Sequence, residues 1–445
     1  TLVEEFARRN SIRLLKLEGL PPREAGSNAK QLAAFSRQLA EQSRMPDRAV
    51  STWFDAFARL DDAIDDASPM VVFLDEISWM GKYDPDFPGE LKYAWDNRFR
   101  KHSKLVMVIC GSVSTWITKN ILRSKGFVGR PTLNLTVGEL PLADCRRFWG
   151  KRADRIAATE IFDLLSVTGG VPKYLELIDP KLSAAENVRR LCFTPGGLLT
   201  EEFDDIFSDV FEGKSTVNRR ILEALAEGPM SGKEISETLG IENNGHLSDN
   251  LEELEIAGFV AKDEGLNPLS GKKTKELHYR ISDNYTRFYL RFVEPRHQAI
   301  EKGLFEFSSV EQLAGWNALL GLQFENLVLN HVNDLFAHFG LSRSLVLSAA
   351  PYYRRGGKGV RGCQIDLLIQ TERMALVVEI KRCREIGREV IREVEEKVEC
   401  LEVARGLSVR TALVYDGALS PAVEADRYFD FILPFEKLLS GVDRR

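Results

Sequence analysis

The chain has 445 residues, a formal net charge of −6, 44% hydrophobic and 28% charged residues. That balance belongs to globular domains and excludes a disordered, collagen-like or small disulfide-stapled chain. At roughly 100–200 residues per domain the length implies two to four domains. No stretch approaches the ~18 uncharged apolar residues of a membrane helix, so no membrane partner is expected. The six cysteines (Cys110, Cys145, Cys192, Cys363, Cys383, Cys400) form no CxxC pair, which argues against a zinc site and for a reducing, cytoplasmic compartment.

In chain order, Thr1–Asn10 reads as a helix that begins without a cap box, as though a segment upstream of it were missing. Residues 12–19 read as a strand, and residues 29–44 and 49–64 as helices. Residues 69–76 (PMVVFLDE) form a short apolar run ending in two carboxylates, residues 91–101 a helix, and residues 105–112 (LVMVICGS) a second apolar run. Continuous apolar strands alternating with helices predict a parallel α/β sheet covered on both faces. Residues 142–211 read as mostly helical around TGGVP (168–172). Residues 218–282 give three short helices and two strands about a Gly/Pro/Ser turn, the winged-helix order. Tyr285, Phe288, Tyr289 and Phe292 recur at helical spacing and predict a core stripe. Beyond residue 321 a helix (323–339) precedes strands at 344–349, 364–370, 374–381 and 410–415, with a charged helix near 385–404.

Val71-Val72-Phe73-Leu74-Asp75-Glu76 fits a Walker B element. A buried strand would present Asp75 to Mg²⁺ at its carboxyl end, and Glu76 would orient or deprotonate the attacking water. Any buried strand ending in acidic residues would look the same. The second apolar run would place Ser112 beside a γ-phosphate, and Arg130 has the character of an arginine finger or of an ordinary loop arginine. The partner motif GxxxxGK[ST] is absent. Gly213-Lys214-Ser215 has Ser208 where the first glycine belongs, and neither Gly232-Lys233-Glu234 nor Gly271-Lys272-Lys273 has Ser or Thr after the lysine.

The segments TLVEEFA (1–7), LDEISWM (74–80), CGSVSTWI (110–117), GFVGR (126–130) and TGGVPKYL (168–175) together resemble the prokaryotic AAA-like ATPases of the archaeal-ATPase family, in the STAND-related branch. The resemblance implies an α/β multidomain chain. Residues 1–140 would be a P-loop ATPase core lacking its first strand and P-loop, 141–212 a helical lid, and 213–282 a winged helix. Residues 283–320 would be a helical connector and 321–445 a nuclease-like domain. It implies ATP and Mg²⁺ as cofactors, Asp75, Glu76, Ser112 and Arg130 as site residues, Pro172 near the adenine, and a homo-oligomer as one form of assembly. Without the neighbouring strand, 71–74 and 105–110 are expected to expose unpaired edges.

The presumed recognition helix of the winged helix carries Asp249, Glu252, Glu253 and Glu255, which repel phosphates, so packing is favoured over DNA reading. In the C-terminal region Asp366, Glu379 and Lys381 match the D-x₁₂-E-x-K pattern of PD-(D/E)xK nucleases, and Glu325 matches the acidic residue of that fold's first helix. Asp366 and Glu379 would chelate Mg²⁺ and Lys381 would stabilise charge. Arg354, Arg355, Lys358, Arg361, Arg382, Arg384 and Arg388 surround the pattern, so nucleic acid is the expected partner. Two alternatives stay open: a half-buried hairpin with a salt-bridged Glu–Lys pair, and a nuclease-like domain that only binds a nucleic acid or protein.

Overall fold

The computed structural model describes residues 2–21, 26–111, 114–211, 215–274, 277–357 and 361–441. The chain divides into two compact units, Thr1–Thr136 and Val137–Arg445.

In the first unit, strands β1 (Arg13–Glu18), β2 (Met70–Asp75) and β3 (Leu105–Ile109) form a parallel sheet in the order β1-β2-β3. β2 is the central strand, so its apolar run is paired on both sides and Met70 to Leu74 are all buried. This corrects the expectation that 71–74 would have a free edge. Among the described residues β1 and β3 are the two edge strands of this sheet, and Val106 of β3 is 47% exposed.

The other edge of the sheet is closed by side chains. The helix Asn28–Gln42 starts at Ser27, whose hydroxyl accepts the Lys30 N–H. It aims Gln38 and Gln42 along β1. Each glutamine makes two bonds to one β1 residue: Gln38 with the N–H and C=O of Glu18 at 2.7 and 2.9 Å, Gln42 with those of Lys16 at 2.9 and 2.5 Å. Gln31 does the same for Leu20 just beyond the strand. Covering an edge in this way satisfies backbone groups that would otherwise recruit a foreign strand. Trp53, Phe57, Phe87, Phe35 and Phe99 pack the core of this unit.

In the second unit the helices between 142 and 211, the winged helix and the C-terminal sheet share one continuous apolar cluster. Tyr285, Phe288, Tyr289 and Phe292 are all buried in it, on a helix Asn284–Phe288 that continues as a wider π turn, Tyr289–Val293. The winged helix comprises the helices Ser215–Leu225, Gly232–Leu239 and Gly245–Ile256, with the strands β4 (Met230–Ser231), β5 (Val260–Asp263) and β6 (His278–Ile281) in the antiparallel order β4-β6-β5. Its wing, between β5 and β6, is engaged. Leu266 N–H donates to the Ser348 hydroxyl at 3.2 Å, Gln370 Nε2 donates to Leu266 C=O at 2.6 Å, and Ala404 N–H donates to Pro268 C=O at 3.1 Å.

The C-terminal sheet has five strands, β7 (Val346–Arg354), β8 (Cys363–Thr371), β9 (Met374–Ile386), β10 (Ser408–Leu419) and β11 (Phe431–Pro434), in the order β11-β10-β9-β8-β7. The β7–β8 and β8–β9 pairs are antiparallel, whereas β9–β10 and β10–β11 are parallel. The expected 323–339 helix is two helices, Trp316–Asn330 and Val332–His338, and β11 had no clear sequence signal. Leu367, Ile369, Leu376, Val378 and Ile380 join the cluster that includes the Trp316–Asn330 helix. Leu368, Ala375 and Val377 face Val390, Ile391 and Val394 of the helix Glu389–Cys400 on the opposite side of the sheet.

Candidate functional site

The C-terminal pair is built by strand register. The antiparallel β8–β9 ladder ends at Leu367 opposite Val378, and just beyond it Asp366 and Glu379 meet at one point, since Lys397 Nζ bonds both carboxylates. The hairpin closes tightly because Thr371 Oγ1 accepts the N–H groups of Arg373 and Met374. At the pair the ladder gives way to side-chain bonding: Asp366 Oδ2 accepts the Ile380 N–H at 2.9 Å. Glu379 is 4% exposed. Burial, and then the neighbouring Asp366 charge, push its carboxyl up to about 7 against the pull of Lys397.

The cation that serves this pair is Lys397, from the Glu389–Cys400 helix, which the sequence motif did not include. Its Nζ lies 2.5 Å from Glu379 Oε2 and 3.3 Å from Asp366 Oδ1. Burial alone would lower the Lys397 ammonium, but the two carboxylates outweigh it and raise it. Lys381, the motif lysine, is on the same strand two residues after Glu379, but its Nζ donates to Glu393 Oε2 at 2.5 Å. The cation between the two carboxylates is thus Lys397, and Lys381, expected to stabilise charge there, is engaged by Glu393.

Glu325 approaches from the Trp316–Asn330 helix, which packs on the other face of the sheet. Burial and then the Asp366 charge push it up to about 8, while Arg280 and Arg287 pull it down. Glu325 does not complete a three-carboxylate ligand set with Asp366 and Glu379. Among the described residues, the one trio of metal-ligand type whose donor atoms all lie within 4.8 Å is Glu201, His297 and Glu301, at the surface. Asp366 and Glu379 alone converge on a single point, and a lysine ammonium already stands there. Two carboxylates sharing one cation position fit the oxygen-donor demand of Mg²⁺, with Glu325 near enough to be felt electrostatically.

The basic surround is largely neutralised. Arg354 pairs with Glu402, Arg361 with Glu396, Arg388 with Asp426, and Arg382 with Asp416. Arg355 donates to the Ser231 hydroxyl, and Lys358 lies outside the described residues. The expected open cationic patch is therefore mostly a set of ion pairs.

In the first unit Asp75 ends the central strand, and its Oδ2 lies 3.1 Å from Lys16 Nζ, which also meets Glu4 and Glu18. Burial lowers Lys16, but Asp75 and Glu4 more than compensate and raise it. Glu76 follows in a left-handed conformation, φ 50 and ψ 48. An oxygen ligand at a strand end, already holding a cation, suits Mg²⁺. Ser112 lies outside the described residues. Arg130 does not reach out as a finger, because Asp96 grips it through Nε and a terminal nitrogen at 2.8 Å each. The Arg130 guanidinium, then Lys92, hold Asp96 well below the usual carboxylate range. Pro172 belongs to the second unit and opens the helix Pro172–Glu176, where its missing N–H leaves no bond unmade.

Residues 215–263 match the family model of a helix-turn-helix domain, in agreement with the three helices and antiparallel strands. An uncharacterized protein of Methanocaldococcus jannaschii is 26% identical over 365 residues, 80% of this chain and 75% of that one. Similar solved structures include a Walker-type ATPase of Pyrococcus abyssi at 14% identity, covering 64% of this chain and 85% of that one, TM-score 0.47. The ORC2 protein of Aeropyrum pernix, solved with ADPNP and ADP, is also 14% identical, over 68% of this chain and 82% of that one, TM-score 0.35. At TM-scores below 0.5 these likenesses do not define a shared fold.

Proposed function

We propose that the protein joins an N-terminal unit of Walker B character to a C-terminal nuclease-like domain that holds a divalent cation at Asp366 and Glu379 and acts on the phosphodiester backbone of nucleic acid. The observation that carries this reading is the pair of Glu379, buried, and Asp366, half-buried, on adjacent antiparallel strands and sharing one cation position. Bound Mg²⁺ would neutralise phosphoryl oxygens and lower the pKa of a coordinated water. Around it, Asp366 and Glu379 would act as ligands, and the Ile380 N–H fixes one Asp366 oxygen. In the first unit Asp75 is the Mg²⁺ ligand of the proposal and Glu76 the group that would orient water at a nucleotide. With no GxxxxGK segment in these 445 residues, ATP should bind weakly.

The test is cleavage of single- and double-stranded DNA and RNA by the full chain with Mg²⁺ or Mn²⁺. Asp366→Asn should abolish metal-dependent cleavage. Absence of cleavage by the wild type, or cleavage indifferent to Asp366→Asn, would remove the catalytic assignment. The paired arginines and the lysine already between the carboxylates favour one second reading, a domain that binds its partner without cutting. Binding that persists with a chelator and is equal in wild type and Asp366→Asn would support it.

A further inference from the structure

We infer that Lys397 is a tethered cation that exchanges with a divalent metal at the Asp366–Glu379 pair, so that the site is switched between an ammonium-filled and a metal-filled state by the helix Glu389–Cys400. The inference rests on the reading of this pair as a metal site.

Three observations carry it. The first is position: Lys397 Nζ contacts both carboxylates, at 3.3 and 2.5 Å, which is where a metal bridging them would sit. Two cations cannot share so small a volume, so a metal must displace the ammonium. The second is origin. Glu379 is held in the β9–β10 ladder opposite Leu413 and Asp366 by the Ile380 N–H, whereas Lys397 arrives on a long flexible side chain from a helix across the face. The carboxylates are the fixed half of the contact and the ammonium the movable half. The third is the lysine that the motif would nominate: Lys381 is held by Glu393 at 2.5 Å and does not contact either carboxylate within ion-pair distance. Once displaced, the Lys397 ammonium remains tethered within a side chain's length of the metal, where it can meet a phosphate oxygen. The exchange changes the local charge: two ionised carboxylates with one ammonium leave a net −1, whereas with a divalent cation they net zero, and this fuller neutralisation favours the metal.

The experiment is calorimetric titration of the full chain with Ca²⁺, a divalent probe chosen to avoid cleavage. Replacing Lys397 with Met removes the competitor and leaves the carboxylates without a counter-ion, so Lys397→Met should bind Ca²⁺ about tenfold or more tightly than wild type. Lys381→Met should change the affinity by less than about threefold, because its partner is Glu393. Asp366→Asn should abolish binding. Equal or weaker Ca²⁺ binding by Lys397→Met, with Asp366→Asn still abolishing it, overturns the exchange while leaving the metal site standing. No Asp366-dependent binding in any variant overturns both. If Lys397→Met fails to fold, amine acetylation of the wild type with mass-spectrometric readout decides the matter. Saturating Ca²⁺ should raise modification of Lys397 several-fold without changing Lys381, and unchanged Lys397 labelling overturns the inference.

Discussion

Glu76 adopts a left-handed backbone, φ 50 and ψ 48, immediately after the last residue of β2. For an L-residue this conformation costs roughly 1–2 kcal/mol, a penalty glycine does not bear. Glu76→Gly should therefore stabilise the first unit by no more than about 1 kcal/mol once the greater freedom of glycine in the unfolded chain is counted, read as a raised thermal midpoint. A lowered midpoint would mean that contacts of the carboxylate outweigh the strain. His102 offers a different residue-scale test, because its two ring nitrogens lie 2.9 Å from Asp61 and Asp66. Burial opposes the charged ring, but the two carboxylates overcome it and raise the pKa above its ordinary 6.5. The raised value sets the sign. The stabilising contribution is complete below pH 6.5 and disappears as pH rises through the higher folded-state value. Chemical denaturation between pH about 6 and about 8 should show wild type losing stability that His102→Gln does not lose.

At the scale of elements, the wing of the winged helix is spent on the C-terminal sheet. Gln370, 5% exposed, donates to Leu266 C=O, so Gln370→Ala strands that carbonyl and should cost about 2 kcal/mol. Hydrogen exchange should show faster opening across 264–274, and an unchanged exchange pattern would mean that the Leu266 and Pro268 backbone bonds suffice alone. Lys273 of the wing pairs with Glu264, and the docking of Leu266 and Pro268 involves partners some eighty residues or more away that no local pattern encodes. The same limit explains what was legible at the candidate site. Asp366 and Glu379 could be placed because a short turn and the period of two fix which residues oppose each other. Lys397 could not, since a contact from helix to strand depends on tertiary packing. One signal was available: Val390, Val394 and Lys397 lie on one stripe at i, i+4 and i+7, which places a lysine on the buried side of an otherwise charged helix. The Asp96 grip on Arg130 was unreadable for the converse reason, because this bidentate partner lies 34 residues earlier, on the helix Phe87–Asn97.

For the whole molecule, the division at residue 136 predicts two thermal transitions. Phe57 lies in the core of the first unit, and Leu251 and Leu376 share the continuous cluster of the second. Phe57→Ala should destabilise the unit behind one transition by about 3–5 kcal/mol, and Leu251→Ala and Leu376→Ala should each destabilise the other by about 2–5 kcal/mol, each read as a lowered midpoint. Separate shifts for Leu251→Ala and Leu376→Ala would show that the winged helix and the C-terminal sheet unfold independently. The first unit is also asymmetric in a way that bears on its encounters with other chains. A glutamine amide carries one donor and one acceptor side by side, as a peptide group does, so Gln38 and Gln42 make the helix Asn28–Gln42 a counterfeit strand along β1. The sheet is thereby polarised like a zip with a stop at one end. Misassembly that begins from it has a single growing front, the apolar edge at Leu105–Ile109, and a mutation that blunts that front need not touch the other.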